Sequence, residues 1–122
     1  MSNAKPILKA FYDAILARDF ARARTFLADD MVFVGLFETY PNADAYLTTF
    51  TQLMSIVTRL DVRVIVGEAK DAAIFMEMTT TEPAPATTLV AEWHHVENDK
   101  IVRATSAFDG RPFAAMFAGT PK

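Results

Sequence analysis

Glu92 and His94 are the residues of this chain whose types and spacing best suit chemistry. They stand two apart in a segment of alternating pattern, so on a strand their side chains project the same way and can touch. A carboxylate beside an imidazole orients the ring, and together the two can serve as general acid and base. Enolisation, dehydration or cyclisation would need no more than such a pair. The same spacing also fits a satisfied polar pair with no chemistry. The adjacent His94 and His95 resemble a metal motif, but strand neighbours point to opposite faces and cannot share a tetrahedral ion. The sequence holds 2 histidines and 0 cysteines, so no metal site, disulfide, thiol nucleophile or cofactor is expected.

These residues need elements to position them. Pro6 suits a first helical turn, and Ile7, Leu8, Phe11, Tyr12, Ile15 and Leu16 recur behind it at helical spacing. Lys9, Asp13 and Arg18 take the opposite side. Asp19 is placed to cap a second short helix that carries Phe20, Ala23, Phe26 and Leu27 inward and is closed by Asp29 and Asp30. Residues 31–36 read as a strand. Asn42 caps a third helix whose apolar stripe is Tyr46, Leu47, Phe50, Leu53, Met54 and Val57.

From Leu60 the period changes to two. Strands are expected over 60–69 and 72–81, joined at Lys70 and Asp71, then over 87–97 and 100–108, joined at Asn98 and Asp99. Pro83 and Pro85 stiffen the loop between the two hairpins. The order helix, helix, strand, helix and four strands implies an α+β domain with one curved antiparallel sheet wrapped around its helices. Such a sheet encloses a cavity on its concave face.

Composition sets the outer bounds. A chain of 122 residues with 52% hydrophobic content can bury one real core and favours one domain. We take 6–117 as that domain, 1–5 as a disordered or tag-like start, and 118–122 as a tail. The arginines are scattered along the chain and form no stripe, which argues against nucleic-acid binding. No apolar run reaches the roughly 18 residues that span a bilayer, and no basic-then-apolar leader is visible. A cytoplasmic protein without membrane partners is the expectation.

Three phrases carry a family resemblance: Phe11-Tyr12-Asp13-Ala14-Ile15-Leu16 with Arg18-Asp19-Phe20; Leu27-Ala28-Asp29-Asp30 leading into Met31-Val32-Phe33; and Asn98-Asp99-Lys100-Ile101-Val102-Arg103. With the element order, they resemble the nuclear transport factor 2-like superfamily, in its SnoaL-like polyketide cyclase and ketosteroid isomerase branch. The resemblance runs from about Pro6 to Phe117 and implies a cystatin-like cone. It does not imply one activity, because this fold hosts isomerases, cyclases, dehydratases, hydrolases and binding modules. Against the ketosteroid isomerase pattern, the oxyanion-hole tyrosine falls on Phe11, beside Tyr12, and the aspartate base falls on Gly35. The buried acid of the penultimate strand falls at or near Glu92.

The resemblance also implies which strand faces look inward: Ile74, Met76, Met78 and Thr80; Val90, Glu92, His94 and Val96; Val102, Ala104, Ser106 and Phe108. With Phe11, Tyr12, Phe50, Leu53 and Met54 from the helices, these make an apolar pocket for a small cyclic or lipid-like molecule, with Glu92 and His94 as its catalytic candidates. Phe37, Glu38 and Tyr40 would shape the mouth. A cofactor-independent lyase, isomerase or cyclase is one alternative, and an interaction module with a collapsed cavity is another. On the outer face, Ile65, Phe75, Trp93 and Ile101 would form an apolar patch suited to a homodimer. Glu77 on that face would pair with Arg63 or Arg103.

Overall fold

The structure, a computed structural model, describes residues 3–113. Helix α1 (Ala4–Leu16) buries Leu8, Phe11, Tyr12 and Ile15 along the face set by its apolar spacing. It begins ahead of Pro6: Ala4 is fully buried, and its N–H donates to the Ala69 carbonyl at 2.9 Å. Residues 4 and 5 therefore form part of the first turn of α1.

Helix α2 (Phe20–Arg24) is capped by Asp19, whose Oδ1 accepts from the Arg22 N–H at 3.1 Å. It is shorter than expected, because Leu27, Asp29 and Asp30 belong to strand β1 (Leu27–Val34). Tertiary pairing overrides the local helical pattern here: Leu27 is in register with Ile101, and the Ile101 N–H donates to the Phe26 carbonyl at 2.8 Å. A two-residue strand β2 (Thr39–Tyr40), not foreseen, pairs back onto β1.

Helix α3 (Ala43–Met54) is capped by Asn42, which accepts from the Ala45 N–H at 2.8 Å. It ends before Val57. Arg18, held at a φ of 56°, donates to the carbonyls of Met54 at 2.8 Å and Val57 at 3.1 Å. A guanidinium satisfying the last helical carbonyls releases Val57 to open β3 (Val57–Glu68). Arg18, although exposed, therefore acts as a staple between elements.

Strands β4 (Asp71–Thr80), β5 (Ala86–Glu97) and β6 (Lys100–Phe108) complete a sheet of order β2-β1-β6-β5-β4-β3. The meander from β3 to β6 is antiparallel as expected, but β1 lies parallel to β6, so the sheet is mixed. The β3–β4 turn falls on Ala69 and Lys70, one residue earlier than expected, with Glu68 paired to Asp71. Asn98 and Asp99 take φ values of 52° and 61°, the left-handed geometry those residues tolerate in a tight hairpin.

Two register shifts bend the sheet and decide which side chains face the helices. On β3 the shift between Val62 and Val64 places Ile65 opposite the buried Ile74, on the concave side. On β6 the shift that pairs Val96 with Ile101 buries Ile101 completely and leaves Val102 half-buried. Ile65 and Ile101 thus leave the expected convex patch, which consists instead of the exposed Val64, Val66, Phe75, Leu89 and Trp93. Elsewhere the alternation holds: Ile74, Met76, Met78 and Thr80 are buried on β4, as are Val90, Glu92, His94 and Val96 on β5. Glu77 faces out, with its Oε1 3.4 Å from Arg63 Nη1.

A short 3-10 turn (Arg111–Phe113) buries Phe113 against Phe108. Met116 and Phe117, expected to pack from the tail, lie outside the described residues. Among the described residues no helix is long and apolar enough to cross a membrane.

Candidate ligand site

Strand register assembles the site. Ile65, Ile74, Glu92 and Ser106 form one row across β3 to β6, and Val62, Met76, Val90 and Phe108 form the next. Because facing residues of a ladder share a side, both rows lie on the concave face, toward the helices. Between the sheet and α3 lies a cavity of about 560 Å³, open at its mouth. Met76, Met78 and Phe108 are its walls, so the cavity is not collapsed. Phe50 and Ser106 also line it, as expected. The mouth is shaped by Phe37, Glu38 and Tyr40 from the β1–β2 region.

Glu92 stands in the wall, 7% exposed. Its Oε1 takes the Tyr12 hydroxyl at 2.5 Å and lies 2.9 Å from His94 Nε2. No described residue hydrogen-bonds its Oε2. Burial first, and then the nearby Glu92, push the Tyr12 phenol well above its ordinary pKa, so Tyr12 remains the donor in this pair. His94 is fully buried, and its Nδ1 has no hydrogen-bond partner. A proton on Nδ1 would be a buried donor without an acceptor, so the ring that fits carries its hydrogen on Nε2 and gives it to Glu92.

Several of the residues expected on the wall sit elsewhere, among them Ile74, Thr80, Val96, Val102 and Ala104 of the strands. Phe11, Tyr12 and Met54 are buried in the packed core, and so is His94. Tyr12 and His94 act on the cavity only through Glu92, since their rings meet edge to face behind it at 6.3 Å. The depth of α1 makes this possible. Gly67 on β3 has no side chain, and a Cβ there would stand 2.8 Å from the Lys5 Cβ.

Sequence reasoning placed Tyr46 only in the core stripe. Tyr46 lines the cavity, stacks on Phe33 at 4.3 Å, and has a buried hydroxyl without a hydrogen-bond partner. Burial first, then Glu92, raise its pKa well above the ordinary value, so it too stays protonated. The available signal was its position one helical turn before Phe50, which lines the same wall. Among the described residues no group of three histidine, cysteine or carboxylate side chains could hold a metal ion. His94 and His95 point to opposite faces, and His95 Nδ1 is instead 2.9 Å from Asp71 Oδ1 on the convex side.

A family model described as a SnoaL-like domain matches residues 8–104. The chain belongs to the SnoaL-like family. No curated protein matches this SnoaL-like domain. Among solved structures, a protein from Kribbella flavida is 24% identical with a TM-score of 0.84, covering 94% of this chain and 93% of its own. An LEH-like epoxide hydrolase of M. tuberculosis is 17% identical with a TM-score of 0.75, covering 96% of each chain. A protein of ketosteroid isomerase-like fold from Catenulispora acidiphila, in complex with trimethylamine, is 13% identical with a TM-score of 0.73, covering 94% of this chain and 93% of its own. At such identities the likeness shows the fold.

The site of this SnoaL-like domain departs from the ketosteroid isomerase pattern where a base would stand. Gly35 lines the cavity, and a Cβ there would come within 2.9 Å of the Glu38 carbonyl. An aspartate at that position would require the loop to move. Tyr12, not Phe11, is the first-helix aromatic that reaches the buried acid.

Proposed function

We propose that this SnoaL-like domain binds a small, largely apolar molecule in the cone, with one polar group of the ligand held at Glu92. The observation that supports it is the state of the Glu92 carboxyl in the wall of a cavity of about 560 Å³: Oε1 is occupied by Tyr12 and His94, while no described residue engages Oε2. An apolar enclosure with a few convergent polar groups is the general make-up of a small-molecule site. Nile red, a neutral apolar dye, tests this by fluorescence. Wild-type protein should bind it, and Leu53→Trp, which fills the cavity from α3, should abolish binding. Equal binding by the two proteins would end the proposal.

The same carboxyl supports a second reading, catalysis of a cofactor-independent isomerisation, elimination or cyclisation. Glu92 is the group that would touch substrate and move a proton through Oε2. Tyr12 and His94 would be positioning residues that hold Oε1. With a substrate found, Glu92→Gln should lower kcat by about 100-fold or more while leaving dye affinity nearly unchanged. Turnover that survives Glu92→Gln would leave binding alone.

We further infer that a second copy of this chain covers the convex face. Val64, Val66, Phe75, Leu89 and Trp93 expose apolar surface there, and Trp93 remains 59% exposed. Sedimentation should give a dimer for the wild type and a folded monomer for Trp93→Glu. A monomeric wild type would refute the pairing.

A further inference from the structure

We infer that the ligand held at Glu92 is an organic ammonium ion, a primary or secondary amine on an apolar body. This rests on the small-molecule reading above and names the chemical class that the cavity selects. Among the described residues, the cavity wall carries two acidic side chains, Glu92 and Glu38, and no lysine, arginine or histidine. An anionic ligand would meet only repulsion inside an apolar enclosure. Behind the wall, among the described residues, His94 is the one group in contact with Glu92 that could carry a compensating charge. Its unpartnered Nδ1 has no acceptor for a second proton.

The rest of the wall suits a cation. Phe33, Tyr46 and Phe50 adjoin one another, with Tyr46 centred 4.3 Å from Phe33 and 5.6 Å from Phe50. Phe37, Phe108 and Phe113 line it further round. Ring faces attract ammonium groups, and the attraction grows as water is excluded. One acceptor position is also left open. Glu92 Oε2 accepts no hydrogen bond from a described residue, whereas the Tyr46 oxygen is closed off from the cavity. An ammonium brings both a charge and an N–H to that carboxylate oxygen, whereas a hydroxyl brings the hydrogen alone. Charge-assisted hydrogen bonds are also about twice as strong as neutral ones.

Displacement of Nile red by phenylbutylamine, phenylbutanol and phenylbutyrate tests this on the wild-type protein. The three share one apolar body and differ at the polar end. The amine should displace the dye at about tenfold lower concentration than the alcohol, which corresponds to about 1.4 kcal/mol, and the carboxylate should be the weakest. Glu92→Gln should bring amine and alcohol level. An alcohol as effective as the amine on wild-type protein would overturn the ammonium inference while leaving the small-molecule reading intact. So would a gap that survives Glu92→Gln. A wild-type protein that does not bind Nile red in its cavity would remove both.

Discussion

The Tyr12 hydroxyl donates to Glu92 Oε1 at 2.5 Å, joining the first helix to the fifth strand across 80 positions of sequence. His94, two residues along the same strand, fixes the same oxygen from the other side. The carboxyl is therefore held by groups that a ligand in the cavity does not touch. Its free oxygen is presented without the entropy cost of orienting a loose side chain.

Tyr12→Phe should lower stability by about 1–3 kcal/mol in urea unfolding, because a buried acceptor loses one of its two donors. A double-mutant cycle with Glu92→Gln should return a coupling of about 0.5–3 kcal/mol. Additive effects of the two changes would mean that the hydrogen bond contributes nothing to the fold.

Tyr12 and Tyr46 hold their protons well above the ordinary tyrosine pKa because both are buried beside Glu92. The unfolded chain releases those protons near pH 10, so above that value the unfolded state binds fewer protons than the folded one. Their contribution to stability is complete below about pH 10 and declines above it, by up to about 1.4 kcal/mol per pH unit for each tyrosine. Tyrosinate absorbance should therefore rise in step with alkaline unfolding for these two residues. Ionisation of both in the intact fold near pH 10 would contradict their burial.

Gly67→Ala should destabilise the fold by about 1–3 kcal/mol, since its Cβ would press on Lys5 and push α1 off the sheet. The displacement should also lengthen the contact between Tyr12 and Glu92. Nile red binding would then weaken together with the melting temperature. An unchanged melting temperature would show that α1 can shift at no cost.

Asp71 Oδ1 accepts from Trp93 Nε1 at 2.9 Å and also meets His95. The hydrogen bonds from His95 and then Trp93 hold the Asp71 carboxyl below its ordinary pKa. The stabilisation they provide is present above the unfolded value near pH 4 and is lost as pH falls through the folded-state value. Trp93 is the single tryptophan, so its emission should change over that acid range and stay flat in Asp71→Asn. A transition retained in Asp71→Asn would assign it to another group.

Much of this protein was legible before any coordinates. Helical spacing in Leu8, Phe11, Tyr12 and Ile15, the caps Asp19 and Asn42, and the period of two from Leu60 onward are local properties of the chain, and local sterics and hydrogen bonding enforce them. The alternation of Met76, Met78, Val90, Glu92 and His94 likewise required only the pleat of a strand.

Other features were decided by partners distant in sequence. The parallel pairing of β1 with β6 drew Leu27 out of its helical pattern, and Arg18 ended α3 by bonding carbonyls more than thirty positions away. The register shifts on β3 and β6 turned Ile65 and Ile101 inward, because one extra residue in a ladder reverses every following side chain. Tyr12, expected on the cavity wall, became the support of the residue that is there. Composition and spacing determined that this chain is an α+β cone with Glu92 and His94 on one face. Only the packing of α1 against the sheet decided that Glu92 meets the cavity while His94 stands behind it, since depth in a core depends on which backbones approach and not on the order of residues along one strand.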